Sequence, residues 1–185
     1  MGVDLGLWEP NGVDMIKLLL FRHAKSSWSE SGVKDFDRPL APRGERAAPQ
    51  MGRFIAERHL HPELVLCSAA QRTRQTLERA LATMPCQPLV RYEHGLYLGG
   101  VSALLRAIRE VDGGFSPLMV VGHNPDMCEL AIELVDPETV DDRYALFGKF
   151  PTAALAVFSF ARDRWRDVRP ATGKLELYVT PKMLN

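Results

Sequence analysis

Short apolar runs, each followed by a stretch of helical periodicity, restrict the fold of this chain more than any other feature. Residues 16–21 form an apolar run with one lysine, 63–67 a second and 118–121 a third. Each has the length of a buried strand and falls short of a buried helix. Between them, 44–59 carries Met51, Phe54, Ile55 and Arg58 at helical spacing, with Pro49 either in the early turns or bending the helix. Ser68-Ala69-Ala70-Gln71 has the form of a capping box, opening a helix with Ala70, Thr73, Leu77, Ala80 and Leu81 on one face. Val101, Leu104, Leu105, Ile108 and Val111 mark another helix, stopped by Gly113-Gly114. Asn124-Pro125 supplies a capping residue and a first-turn proline to a helix reaching about Val135. Shorter strand-like segments fall at 88–91, 153–160 and 175–179. Strands alternating with helices predict an α/β fold, a three-layer α/β/α sandwich with a mostly parallel central sheet.

At 185 residues the chain has the length of one domain. Such a chain buries roughly 70% of its unfolded surface, so no disulfide or metal is needed to hold a core. Residues 1–14 mix Gly, Pro, Asn and Asp without periodicity. They read as a flexible N-terminal extension to a single domain over 15–185, with translation starting at Met1 or Met15. Lys and Arg total 23 and so do Asp and Glu, which argues against a general nucleic-acid binder and confines any basic site to a local patch. Cys67, Cys86 and Cys128 stand far apart and in odd number, a poor disulfide framework, and are expected as reduced thiols. Neither the cysteines nor the five histidines show zinc-ligand spacing, and His59 and His61 flank a helix end. Apolar runs are far short of the ~20 residues that span a membrane, and the first residues lack the form of a signal peptide. The cytoplasm is the expected compartment. No metal, cofactor, nucleic acid or membrane partner is expected.

In open α/β sheets ligands bind beyond the carboxyl ends of the strands. Arg22-His23 follow the first run, Arg72 stands in the first helical turn after the second, and Gly122-His123 follow the third. Two guanidiniums and a helix N-terminus suit a dianion with tetrahedral oxygens. A neutral imidazole is a nucleophile toward phosphorus, and neighbouring arginines favour the neutral ring. Nucleophile and phosphate clamp are then one constellation.

The stretch Leu19-Leu20-Phe21-Arg22-His23-Ala24-Lys25-Ser26-Ser27-Trp28 resembles the signature of the histidine phosphatase superfamily, the phosphoglycerate mutase-like fold. Asp37-Arg38-Pro39-Leu40 with Arg43-Gly44, then Ser68-Ala69-Ala70-Gln71-Arg72-Thr73-Arg74-Gln75-Thr76, then Val121-Gly122-His123-Asn124-Pro125 resemble its later motifs in order. The form Arg-His-Ala-Lys-Ser is most similar to the SixA-type phosphohistidine phosphatases. The resemblance implies that His23 becomes a phosphohistidine and that Arg22, Arg72 and His123 hold the phosphoryl oxygens. It implies a metal-independent phosphatase acting on a protein phosphohistidine or a small phosphate ester, against the rival of a non-catalytic phosphate-binding module. The general acid falls to Glu93, to Asp126 or to no residue. Ala24-Lys25 stand where much of the superfamily has Gly-Glu, which speaks against a sugar-phosphate mutase. Little chain lies between Arg72 and His123 for a lid, so the pocket is expected to be open, with a positive rim from Lys25, Lys34 and Arg38.

Overall fold

Strands buried on both faces need an apolar residue at nearly every position, and this sequence supplies three of them at the centre of its sheet. The computed structural model describes residues 15–28, 32–139 and 150–184, so the expected extension over 1–14 lies outside the described residues. Its elements are β1 (Ile16–Arg22), α1 (Pro42–Glu57), β2 (Leu64–Ser68), α2 (Gln71–Leu81), β3 (Leu89–Glu93), α3 (Gly100–Arg109), β4 (Leu118–Gly122), α4 (Asp126–Leu134), β5 (Leu155–Phe160) and β6 (Lys174–Val179). The sheet runs β3-β2-β4-β1-β5-β6. β3, β2, β4 and β1 pair in parallel, and β5 is antiparallel to both β1 and β6.

Side-chain alternation divides the core in two. Leu18, Leu20, Leu64, Leu66, Leu118 and Val120 face one cluster with residues of α3 and α4. Leu19, Phe21, Val65, Cys67, Met119 and Val121 face the other with residues of α1 and α2. Helices therefore cover both faces, the three-layer arrangement expected. β1 and β4 are neighbours, but the chain leaves β1 through α1 and leaves β4 through α4, on opposite faces. Their carboxyl ends diverge at a topological switch point, where a crevice opens.

Helix termini depart from the sequence expectations. Pro42, not residue 44, begins α1, and Pro49 falls at the eighth of its 16 positions, where the helix continues through it. α2 has Ala70 at its cap position with no side-chain cap bond, so Ser68 forms no capping box. Likewise Pro125, not Asn124, caps α4, and Asn124 Nδ2 donates to the Phe150 carbonyl (3.1 Å). In both cases the polar side chain bonds elsewhere, Ser68 Oγ with His123 Nε2 (2.8 Å) and Asn124 with the Phe150 carbonyl.

One glycine fixes the chain after β1. The Lys25 carbonyl accepts from the Ala41 N–H (2.8 Å), and a Cβ at Gly44 would collide with that same carbonyl. Gly44→Ala should destabilise the protein by about 1–3 kcal/mol through overpacking. Thermal unfolding should show Tm lower by several degrees, whereas an unchanged Tm would show that this approach is not tight.

Candidate active site

Parallel pairing sets the first two residues of the crevice. Arg22 is in register with Gly122, and the His23 N–H donates to the Gly122 carbonyl (3.0 Å). His23 and His123, each the residue following its strand, therefore lie side by side with ring centroids 5.1 Å apart. The Ala24 N–H donates to Thr76 Oγ1 (2.9 Å), and Thr76 Oγ1 donates to the Arg72 carbonyl (2.6 Å), which ties the β1 end to the first turns of α2. His23, Arg72 and His123 are all buried at 7%, 5% and 2% exposure, and so form the floor of the crevice rather than its surface.

The hydrogen bond of His23 defines its tautomer. Nδ1 lies 2.7 Å from the Ala24 carbonyl oxygen, which can only accept. Nδ1 therefore carries the hydrogen, and in the neutral ring Nε2 holds the lone pair. Burial, with Arg72, Arg22 and Arg38 nearby, pushes His23 down to about 3. Burial, with His23 and Arg72 beside it, pushes His123 down to about 3 as well. Both imidazoles are neutral at pH 7. His123 Nε2 is 2.8 Å from Ser68 Oγ, while its Nδ1 is buried with no partner among the described residues. Arg22 donates Nη1 to the Phe150 carbonyl (2.7 Å), and its Nε is likewise buried without a partner. Polar atoms of this kind, left unpaired in a buried crevice, are what an oxyanion ligand satisfies.

Asp35 and Tyr97 stand outside every motif read in the sequence, and Ser68 and Thr76 fall inside one with no role at the site assigned to them. Asp35 begins a short 3-10 turn, Asp35–Asp37. Its carboxylate accepts from Arg72 Nη2 (3.0 Å), Arg38 Nη1 (2.6 Å) and the Tyr97 hydroxyl (2.7 Å), and its carbonyl accepts from Arg72 Nη1 (2.5 Å). The Tyr97 hydroxyl, with Arg38 and Arg72, holds the Asp35 carboxyl down to about 2. Tyr97 also meets the His123 ring edge-on at 5.5 Å. Arg38 is buried rather than at the rim, bonded to Ser26 Oγ (2.7 Å) and the Ser27 carbonyl (2.9 Å). The rim is therefore not uniformly positive: Lys25 is exposed, and Asp35 stands half-exposed opposite it in charge.

The structure gives the two acid candidates different positions. Glu93 is exposed at the end of β3, in register with Ser68, and its carbonyl accepts from the Ala69 N–H (3.2 Å). Asp126 is buried and turned to the start of α3, where its Oδ2 accepts from the Gly100 N–H (3.0 Å). Cys67 is buried, and burial pushes its thiol up to about 12, so no thiolate competes with the histidines. Among the described residues no group of three or more His, Cys, Asp or Glu is placed to hold a metal ion. Nor is any described helix long and apolar enough to cross a membrane.

Residues 18–94 match the family model of the histidine phosphatase superfamily, branch 1. An uncharacterized protein, MT1313, of Mycobacterium tuberculosis (strain CDC 1551 / Oshkosh) is 37% identical over 163 residues, 87% of this chain and 99% of its own. A solved structure of a candidate SixA phosphohistidine phosphatase from Nakamurella multipartitia is 34% identical, with a TM-score of 0.78 over 91% of this chain and 97% of that one. Its counterpart from Agrobacterium tumefaciens is 28% identical, with a TM-score of 0.76 over 90% and 98%. The chain belongs to the histidine phosphatase superfamily. Within that superfamily its likeness is to the SixA type, and this likeness supports phosphatase activity.

The two buried histidines also set a pH dependence of stability. Their folded values near 3 lie below the ordinary imidazole value of about 6.5, so between these limits the unfolded chain binds more protons. Stability is then complete above about pH 6.5 and is lost as pH falls toward 3. Denaturant midpoints should drop between pH 7.5 and 5.0, and drop less in a His23→Gln/His123→Gln double variant. Equal drops in both proteins would contradict the assignment of neutral buried rings.

Proposed function

We propose that this protein is a metal-independent phosphatase that works through a covalent phosphohistidine on His23, with protein phosphohistidine as the preferred substrate class. The single observation carrying this reading is the His23 Nδ1 bond to the Ala24 carbonyl, which leaves Nε2 with its lone pair in a ring held neutral. In the reaction Nε2 attacks phosphorus, the bond to the leaving group breaks, and its electron pair leaves with that group. Water then attacks the phosphohistidine, releasing phosphate and restoring the neutral ring. Arg22, Arg72 and His123 hold the three peripheral oxygens, since phosphoryl transfer is chiefly positioning and neutralisation of spread charge. Glu93, exposed at the end of β3, is the proton donor for ester leaving groups in this reading. A protonated imidazole leaving group needs none.

A phosphate-binding module without turnover would need the arginines but not a nucleophile of fixed tautomer. The substrate preference is supported by the SixA likeness. It is also supported by a short connection between Arg72 and His123, taken up by α2, β3 and α3. A pocket with few remote contacts has little binding energy to spend on a small ester, while a partner protein's surface can close it. The expected site of action is the cytoplasm.

Rapid quench with labelled substrate should trap an acid-labile, base-stable label on His23. Label on Ser26 or Ser27, or full activity in His23→Ala, would overturn the mechanism. Arg72→Lys should lower kcat/KM by the equivalent of about 2–4 kcal/mol, since an ammonium cannot copy the planar fork. Near-normal kcat/KM in that variant would remove Arg72 from the phosphoryl clamp.

A further inference from the structure

Asp35 is bonded to the arginine that the proposed reaction places on the phosphoryl group, yet that reaction leaves it unused. A carboxylate offers about four lone-pair sites. Oδ2 receives Arg72 Nη2 and the Tyr97 hydroxyl, and Oδ1 receives Arg38 Nη1. Three sites are filled by partners among the described residues, and one on Oδ1 remains. Its side chain is 46% exposed against 6% for Arg72, so the carboxylate stands on the solvent side of the guanidinium. His23 is at the floor, 7% exposed. An in-line displacement puts the leaving group opposite the nucleophile, which is the solvent side, where Asp35 stands.

We propose that Asp35 determines leaving-group specificity, its remaining oxygen site accepting the distal N–H of a protonated imidazole and so favouring P–N over P–O substrates. The proposal rests on the phosphatase reading above. In the step it serves, the substrate P–N bond breaks with its electron pair staying on that nitrogen, and a P–N bond to His23 Nε2 forms. The ring, having entered protonated at the distal nitrogen, leaves as neutral imidazole with that hydrogen still in place. Asp35 stabilises the reactive, protonated form of the substrate without transferring a proton. An ester leaving group brings an oxygen with lone pairs and no hydrogen, so it gains no such bond and meets the carboxylate's own lone pairs instead. Attraction to one class and repulsion of the other then come from a single side chain.

The test compares N-phosphoimidazole with phenyl phosphate in the wild-type protein and in Asp35→Asn. Any change that Asp35→Asn makes through Arg72 acts on both substrates and cancels in the ratio of their kcat/KM values. Loss of a hydrogen bond to a charged group should lower that ratio by roughly tenfold or more, and an unchanged ratio overturns the proposal. A second measurement needs no variant: imidazole should tighten inhibition of the wild-type protein by vanadate, and 1-methylimidazole, which lacks the distal N–H, should not. Equal effects of the two, or none, also overturn it. Turnover of phenyl phosphate through His23 with none of N-phosphoimidazole would sink the Asp35 assignment while leaving the phosphatase standing. Turnover of neither would sink both.

Discussion

Every functional side chain in the crevice depends on the parallel pairing of β1 with β4. With Arg22 opposite Gly122 and the His23 N–H on the Gly122 carbonyl, the two residues that follow these strands can only be neighbours. A slip of one residue would send His23 to the other face of the sheet, because side chains alternate. The same alternation holds the register, since it sorts Leu18 and Leu20 into one apolar cluster and Leu19 and Phe21 into the other. The core that stabilises the sheet is therefore also what aligns the two imidazoles.

Burial then decides the chemistry. A histidine on the surface would be partly charged near neutrality, whereas His23 and His123 are buried among arginines and both are held neutral. A crevice with three guanidiniums on its borders and no charged imidazole suits a dianion, and Asp35 stops those cations from forming one uncompensated cluster. Its bonds also dock the chain after β1 against α2 and Tyr97, so the loop that completes the crevice is held by the same carboxylate.

The strands and the four residues at their ends were legible in the sequence because both follow from short-range rules. Apolar runs mark buried strands, and the chain just beyond a strand's carboxyl end is where α/β folds bind ligands. Ser68 was misread because a serine three residues before a glutamine fits a capping box, but here it is the last residue of β2 and turns to His123 instead. Asp35 and Tyr97 were invisible for a different reason. They stand 37 and 25 positions from Arg72 and 62 from each other, in segments without periodicity, and only tertiary folding brings them together. Asp126 is one of the alternatives for the general acid by its nearness to His123 in sequence, and in the fold its Oδ2 accepts from the Gly100 N–H at the start of α3.

The central claim is that the phosphoryl group passes through His23 before it reaches water, and its stereochemistry tests that most directly. A phosphorothioate ester made chiral with oxygen isotopes would be hydrolysed in isotopically labelled water, and the configuration of the released thiophosphate determined. Each in-line transfer inverts the configuration at phosphorus. The two transfers required here give net retention, and net inversion would show a single direct attack by water and contradict the account.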